Sequence, residues 1–245
     1  MDGWGWTDSG KMGSMRVILI RHGESQNNRI FAETGGEAGR SPDPGLTDLG
    51  HAQAVALAGA VDLLPWRPTH VYSSLMLRAL QTAAPLADAL NLPLLARTDI
   101  HEGGGPNDRD ADGAWVTHPG SPRDVLAAVS PRVVLPPEAG PDGWYPGPLE
   151  EPDGLGPRAA QAVASLLEEH SDDDVIAVVT HGWFSQHLVR TFLGIPSMTG
   201  WIEIKNTGLT LLHNDSVTFE DGEVALWIAE RINWLPHLRD DQISV

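Results

Sequence analysis

The apolar positions of the chain fall into short runs that alternate with longer amphipathic stretches. Residues 17–20 (V-I-L-I) are four consecutive apolar side chains, the length and continuity of a strand buried on both faces. Residues 33–45 (E-T-G-G-E-A-G-R-S-P-D-P-G) are polar and rich in glycine and proline, the composition of a loop. Thr47 is an N-cap residue type, and the helical spacing after it predicts a helix to about Leu64, stopped by Pro65 and Pro68. A second buried strand is expected over 69–74, a helix over 77–90 and a short strand over 94–97. Between 103 and 157 the pattern dissolves into Gly, Pro and Asp, with only A-W-V-T-H and R-D-V-L-A-A-V hinting at order. Periodicity returns with a helix over 158–170, a strand in D-D-V-I-A-V-V-T-H-G-W, and a helix over 184–193 closed by Gly194 and Pro196. N-T-G-L-T-L-L-H and E-V-A-L-W-I-A-E then read as two late strands in an antiparallel hairpin.

Strands alternating with helices predict an α/β three-layer sandwich around a mostly parallel central sheet, with the Gly/Pro-rich segment 103–157 inserted over one end of it. At 245 residues the chain is long enough for one large domain, expected over 15–245. Residues 1–14 lack the apolar core of a signal peptide and are expected to be a frayed leader, with Met15 a natural start.

Composition narrows the chemistry. There is no cysteine, which removes disulfides, thiolate metal sites and a cysteine nucleophile, and fits a cytoplasmic location. The formal charge of −17 argues against nucleic-acid or anionic-membrane partners, which need basic patches. No apolar run approaches the length of a membrane span. In so acidic a chain an anionic substrate must be met by a local cationic pocket.

Such a pocket is foreshadowed where strands end. The first strand runs into Arg21, His22 and Gly23; the second delivers Ser73 and Ser74, with Arg78 shortly beyond; the late strand ends in Thr180 and His181. Ligands of open α/β sheets bind at the carboxyl ends of strands. If these strands are neighbours, two arginines and two histidines converge, an arrangement that calls for an anion among them, and a phosphoryl group matches the planar donors of arginine. Asn28 and the backbone amides after Gly23 add neutral donors.

R-H-G-E-S-Q-N-N resembles the signature of the histidine phosphatase superfamily, the phosphoglycerate-mutase-like fold. G-L-T-D-L-G-H-A-Q-A, Y-S-S-L-M-L-R-A-L-Q-T-A and V-V-T-H-G resemble the motifs that follow, in family order. The resemblance implies that His22 is a nucleophile forming a phosphohistidine, that Arg21, Arg78 and His181 bind phosphoryl oxygens with Asn28 assisting, and that His181 shares in catalysis. It implies an acid in the place of Glu102, with Asp108 or Asp110 as alternatives, because G-G-G-P-N-D-R-D departs from the family's continuation. Arginines that keep His22 neutral and stabilise the transferred group make a metal or other cofactor unnecessary.

The implied activity is hydrolysis of a small-molecule phosphomonoester with a neutral or modestly polar body. The alternatives are a binding module without turnover, non-hydrolytic biosynthetic chemistry, or mutase-type phosphoryl transfer. The short, cation-poor stretch after Glu102 disfavours a mutase. His101, His118, Arg109, Arg123, Trp115 and Trp144 either line the pocket or pack the insertion. Dimerisation through a sheet edge is left open by the sequence.

Overall fold

The computed structural model describes residues 14–219 and 222–245; the expected leader lies, all but Ser14, outside them. The chain order is β1 (Arg16–Arg21), α1 (Gln26–Thr34), α2 (Asp48–Gly59), β2 (His70–Ser74), α3 (Leu77–Leu90), β3 (Leu94–Arg97), β4 (Asn107–Arg109), β5 (Trp115–Thr117), α4 (Arg123–Ala127), β6 (Val133–Val134), α5 (Pro152–Glu169), β7 (Val175–Thr180), α6 (Gly182–Phe192), β8 (Leu209–Phe219) and β9 (Gly222–Trp234). Seven strands form one sheet in the order β6-β3-β2-β7-β1-β8-β9. Pairing is parallel from β6 through β1, and antiparallel where β8 meets β1 and β9.

The unbroken apolar run of β1 is explained by its central place. Ile18 and Ile20 join a core with Leu57, Leu75 and Leu80 from the α2/α3 side. Val17 and Leu19 join a second core with Leu155, Phe184 and Leu188 from α5 and α6. With helices on both faces, a strand needs apolar residues on both. Among the described residues, no helix is long and apolar enough to cross a membrane.

Three expectations change. The helix after Thr47 ends at Gly59, and a 3-10 turn over Val61–Leu63 covers the rest. The helix expected over 158–170 starts at Pro152 instead, with proline at its first position, where no backbone N–H is needed. Segment 103–157 is more than a cover over the sheet's end. It adds the edge strand β6, and its Leu126, Ala139 and Trp144 are buried in the α2/α3-side core. Only the β4–β5 hairpin stands apart, as a separate two-stranded sheet.

Candidate active site

The parallel register sets Arg21 opposite Thr180, so the residues that follow, His22 and His181, leave neighbouring strands side by side. Their rings lie 5.1 Å apart. β2, on the other flank of β7, brings Ser74, and the first turn of α3 brings Arg78. All three strands deliver these groups from their carboxyl ends.

Hydrogen bonds settle which nitrogen of His22 can act. Its Nδ1 lies 2.7 Å from the Gly23 carbonyl, which only accepts, so Nδ1 carries the proton. Nε2 then presents a lone pair, and Arg78 Nε donates to it at 3.1 Å. Burial, then the charges of Arg78 and Arg21, hold His22 well below the usual histidine range. The ring is a neutral base, 3 % exposed, beneath two guanidinium groups.

His181 is fixed in the complementary sense. Ser74 Oγ accepts from the Met76 amide and lies 2.9 Å from His181 Nε2. With Met76 on one lone pair, the hydroxyl is free to give its proton to Nε2, the tautomer that makes Nδ1 an N–H. That Nδ1 is buried and has no partner among the described residues. The same holds for Arg21 Nε, while Arg21 Nη1 donates to the Ile204 carbonyl at 2.6 Å. Burial lowers the Arg21 pKa to about 10 and lowers that of Arg78 as well. Two buried nitrogens without partners, beside two costly buried cations, form a cradle for an anion's oxygens.

Glu102 faces this cradle from the β3 side and is also built into α6. Oε1 accepts from the amides of Phe184 at 2.9 Å and Gly103 at 3.1 Å, and Oε2 accepts from that of Trp183 at 3.2 Å. The three glycines that break the family pattern have a reason here. A Cβ on Gly103 would strike the Trp183 ring at 2.6 Å, and Gly104 and Gly105 take positive φ to turn the chain away. The alternative acids are engaged elsewhere. Asp108 pairs with His118 at 2.8 Å, and Asp110 accepts from the amides of Asp112 and Ala114 in the hairpin turn.

Asn28 is both a cap and a wall. Its Oδ1 accepts from the amide and hydroxyl of Ser25, closing a capping box on α1, and the residue lines the cleft above Arg21. Glu24 Oε1 takes the Thr47 hydroxyl at 2.7 Å and the Glu24 amide donates to Gln53, so this residue locks the motif to α2.

Gly23 serves close packing against α2. A Cβ there would lie 2.7 Å from the Gly50 carbonyl, and one on Gly50 would lie 2.1 Å from that of Glu24. Gly50→Ala is therefore expected to destabilise the protein by about 2–3 kcal/mol and to lower kcat/KM by displacing His22. A urea-unfolding midpoint equal to that of the wild type would contradict this packing.

The cleft has a volume of about 630 Å³, and Arg21, Asn28 and Glu102 share it with Arg40, Trp183 and Trp201. Sequence reasoning missed the last three. Arg40 lies in the Gly-rich loop and Trp201 in the segment after α6, where no periodicity marks them. Of the residues left undecided by sequence, Trp144 is core, His101 packs against it and Tyr145, and Arg123 ties the insertion together through the Pro136 and Ala139 carbonyls. Arg109 stacks 3.9 Å above Trp115, and both line a second cleft, next to Glu37 and Arg40.

Buried neutral histidines make stability depend on pH. Burial, with Arg158 nearby, lowers His101 to about 4, and burial lowers His237 to about 4. The unfolded chain takes up these protons near pH 6.5 and the folded chain does not, so stability falls as pH drops from about 6.5 toward 4. Urea unfolding at pH 7 and pH 5 is expected to give the lower free energy at pH 5; equal values would contradict the buried neutral state.

A family model of the histidine phosphatase superfamily (branch 1) matches residues 17–223. The chain belongs to this superfamily. A glucosyl-3-phosphoglycerate phosphatase of Mycolicibacterium vanbaalenii is 28% identical over 188 residues, 74% of this chain and 75% of that protein. A 2,3-bisphosphoglycerate-dependent phosphoglycerate mutase of Chelativorans is 34% identical over 79 residues, 32% of this chain and 36% of that protein. Among solved structures, a mycobacterial glucosyl-3-phosphoglycerate phosphatase superposes with a TM-score of 0.58 at 21% identity, over 90% of this chain and 99% of that one. This histidine phosphatase thus shares the fold of that enzyme. Its relative over three quarters of both lengths is a phosphatase; the likeness to the mutase is confined to a third.

Proposed function

We propose that this histidine phosphatase hydrolyses a small phosphomonoester through a phosphohistidine on His22. The observation that carries this is the fixed tautomer of His22: Nδ1–H is held by the Gly23 carbonyl and Nε2 is left as a neutral nucleophile beside Arg78. Arg21, Arg78, His181 Nδ1–H and the Asn28 amide take the phosphoryl oxygens. Nε2 attacks phosphorus, the ester oxygen leaves, and Glu102 gives it a proton. The Glu102 carboxylate then draws a proton from water, which attacks the phosphohistidine, releases phosphate and restores the imidazole. Charge on the transferred group is balanced by the two guanidinium groups, so no step calls on a metal.

The substrate body rests in the aromatic part of the cleft, between Phe31, Trp183 and Trp201. Arg40, the further cation there, is already paired with Glu37 at 2.9 Å. That supports one phosphoryl group on an uncharged or modestly polar ring-bearing body. The lack of cysteine supports a cytoplasmic setting.

A panel of phosphomonoesters assayed for phosphate release in EDTA tests this reading. Release from singly phosphorylated ring compounds is expected to persist in the chelator. Activity restored only by added metal, or a wide preference for bisphosphorylated compounds, would overturn it.

A further inference from the structure

At the amino ends of β2 and β7, the opposite end of the sheet from His22, stands a second cluster that phosphoryl chemistry does not use. His70 opens β2, His170 follows the last residue of α5, and Asp174 directly precedes β7. One ligand atom from each lies within 4.8 Å of the other two. The two rings meet edge to face at 4.3 Å. Asp174 reaches both, with Oδ2 3.3 Å from His170 Nδ1 and Oδ1 3.7 Å from His70 Nδ1. Bonds of 2.0–2.1 Å around a tetrahedral ion set neighbouring ligand atoms about 3.3 Å apart, so the ligand atoms must draw in by up to about 1.5 Å to close on one.

The surroundings orient the donors. Tyr72 Oη lies 3.4 Å from Glu169 Oε2 and 2.9 Å from His170 Nε2. A carboxylate only accepts, so Asp174 Oδ2, 3.3 Å from His170 Nδ1, holds a proton on that nitrogen, and Nε2 accepts from the Tyr72 hydroxyl. Binding an ion moves this proton to Nε2, where Tyr72 Oη accepts it while the hydroxyl turns its own proton to Glu169, the way an outer partner fixes a metal-bound imidazole. The Ser171 amide and hydroxyl hold Asp174 Oδ2 at 2.9 and 3.1 Å. The His170 side chain is buried, while those of His70 and Asp174 are 35% and 22% exposed, which leaves a side open for entry and for water ligands.

We propose that His70, His170 and Asp174 bind one divalent transition-metal ion of the zinc class. Two imidazoles and one carboxylate suit zinc, cobalt or nickel, and disfavour magnesium and calcium, which take oxygen ligands. The ion clamps the start of β2 to the turn between α5 and β7 and stabilises the folded state without touching the phosphoryl site.

The test uses the full chain, stripped with chelator, dialysed against zinc and analysed for metal, with thermal unfolding in parallel. The wild type is expected to retain one zinc per chain at micromolar free zinc. Its unfolding midpoint is expected to rise by about 5–10 °C at a hundredfold excess over Kd. His70→Ala and Asp174→Asn are expected to weaken binding by at least about tenfold and to abolish the rise, while His22→Ala binds zinc as the wild type does. Asp174→Asn disturbs the Ser171 cap, so His70→Ala, at the most exposed ligand, keeps the test independent of folding. Zinc uptake unchanged in His70→Ala, uptake lost in His22→Ala, or no uptake by the wild type would overturn the proposal.

Discussion

Replacing His22 with alanine is expected to lower kcat by at least about 10³-fold on every ester the enzyme accepts, with the fold retained. That factor corresponds to about 4 kcal/mol of barrier, more than loss of one phosphate contact explains. Alanine removes the Nε2 lone pair on which Arg78 is set, while the neighbouring His181 has its Nε2 tied to Ser74 Oγ. Phosphate release measured beside circular dichroism checks this. Activity within tenfold of the wild type in a folded variant would contradict the nucleophile assignment.

Glu102→Gln is expected to separate substrates by leaving group. Alkyl phosphates, whose departing alkoxide needs a proton, are expected to lose about 10²–10⁴-fold in kcat, whereas p-nitrophenyl phosphate, whose phenolate leaves unaided, loses less than about tenfold in the first step. The variant also places an NH₂ donor where backbone N–H groups now point, because the amides of Gly103, Trp183 and Phe184 all donate to this carboxylate. A modest loss of stability at the start of α6 is therefore expected with it. Equal losses on both substrates would move the acid to another residue.

The histidine and arginine half of the candidate site was legible because it rests on short-range signals. β3 and α3 begin and end where their patterns do, and the motif histidines sit at strand ends in a register that parallel pairing enforces. Elements whose stability comes from tertiary contact were harder to read. α5 carries Gly154, Gly156 and Pro157 in its first turns, which argue against helix locally, yet Leu155 and Ala159 bury fully in the α5/α6-side core. The cleft walls were invisible for a different reason. Arg40, Trp183 and Trp201 come from three segments that only the fold brings to one place, and no spacing encodes that meeting. Gly23 must admit the Gly50 carbonyl, a contact between two motifs that look independent along the chain.

The most direct test of the account is to trap the covalent intermediate. The enzyme is mixed with a good substrate, quenched in alkali within the first turnovers, and mapped by mass spectrometry under conditions that preserve acid-labile phosphate. The account predicts a single phosphorylated peptide, modified at His22 and absent from His22→Ala. Steady turnover with no phosphohistidine at His22, or with phosphate carried on His181, would contradict it.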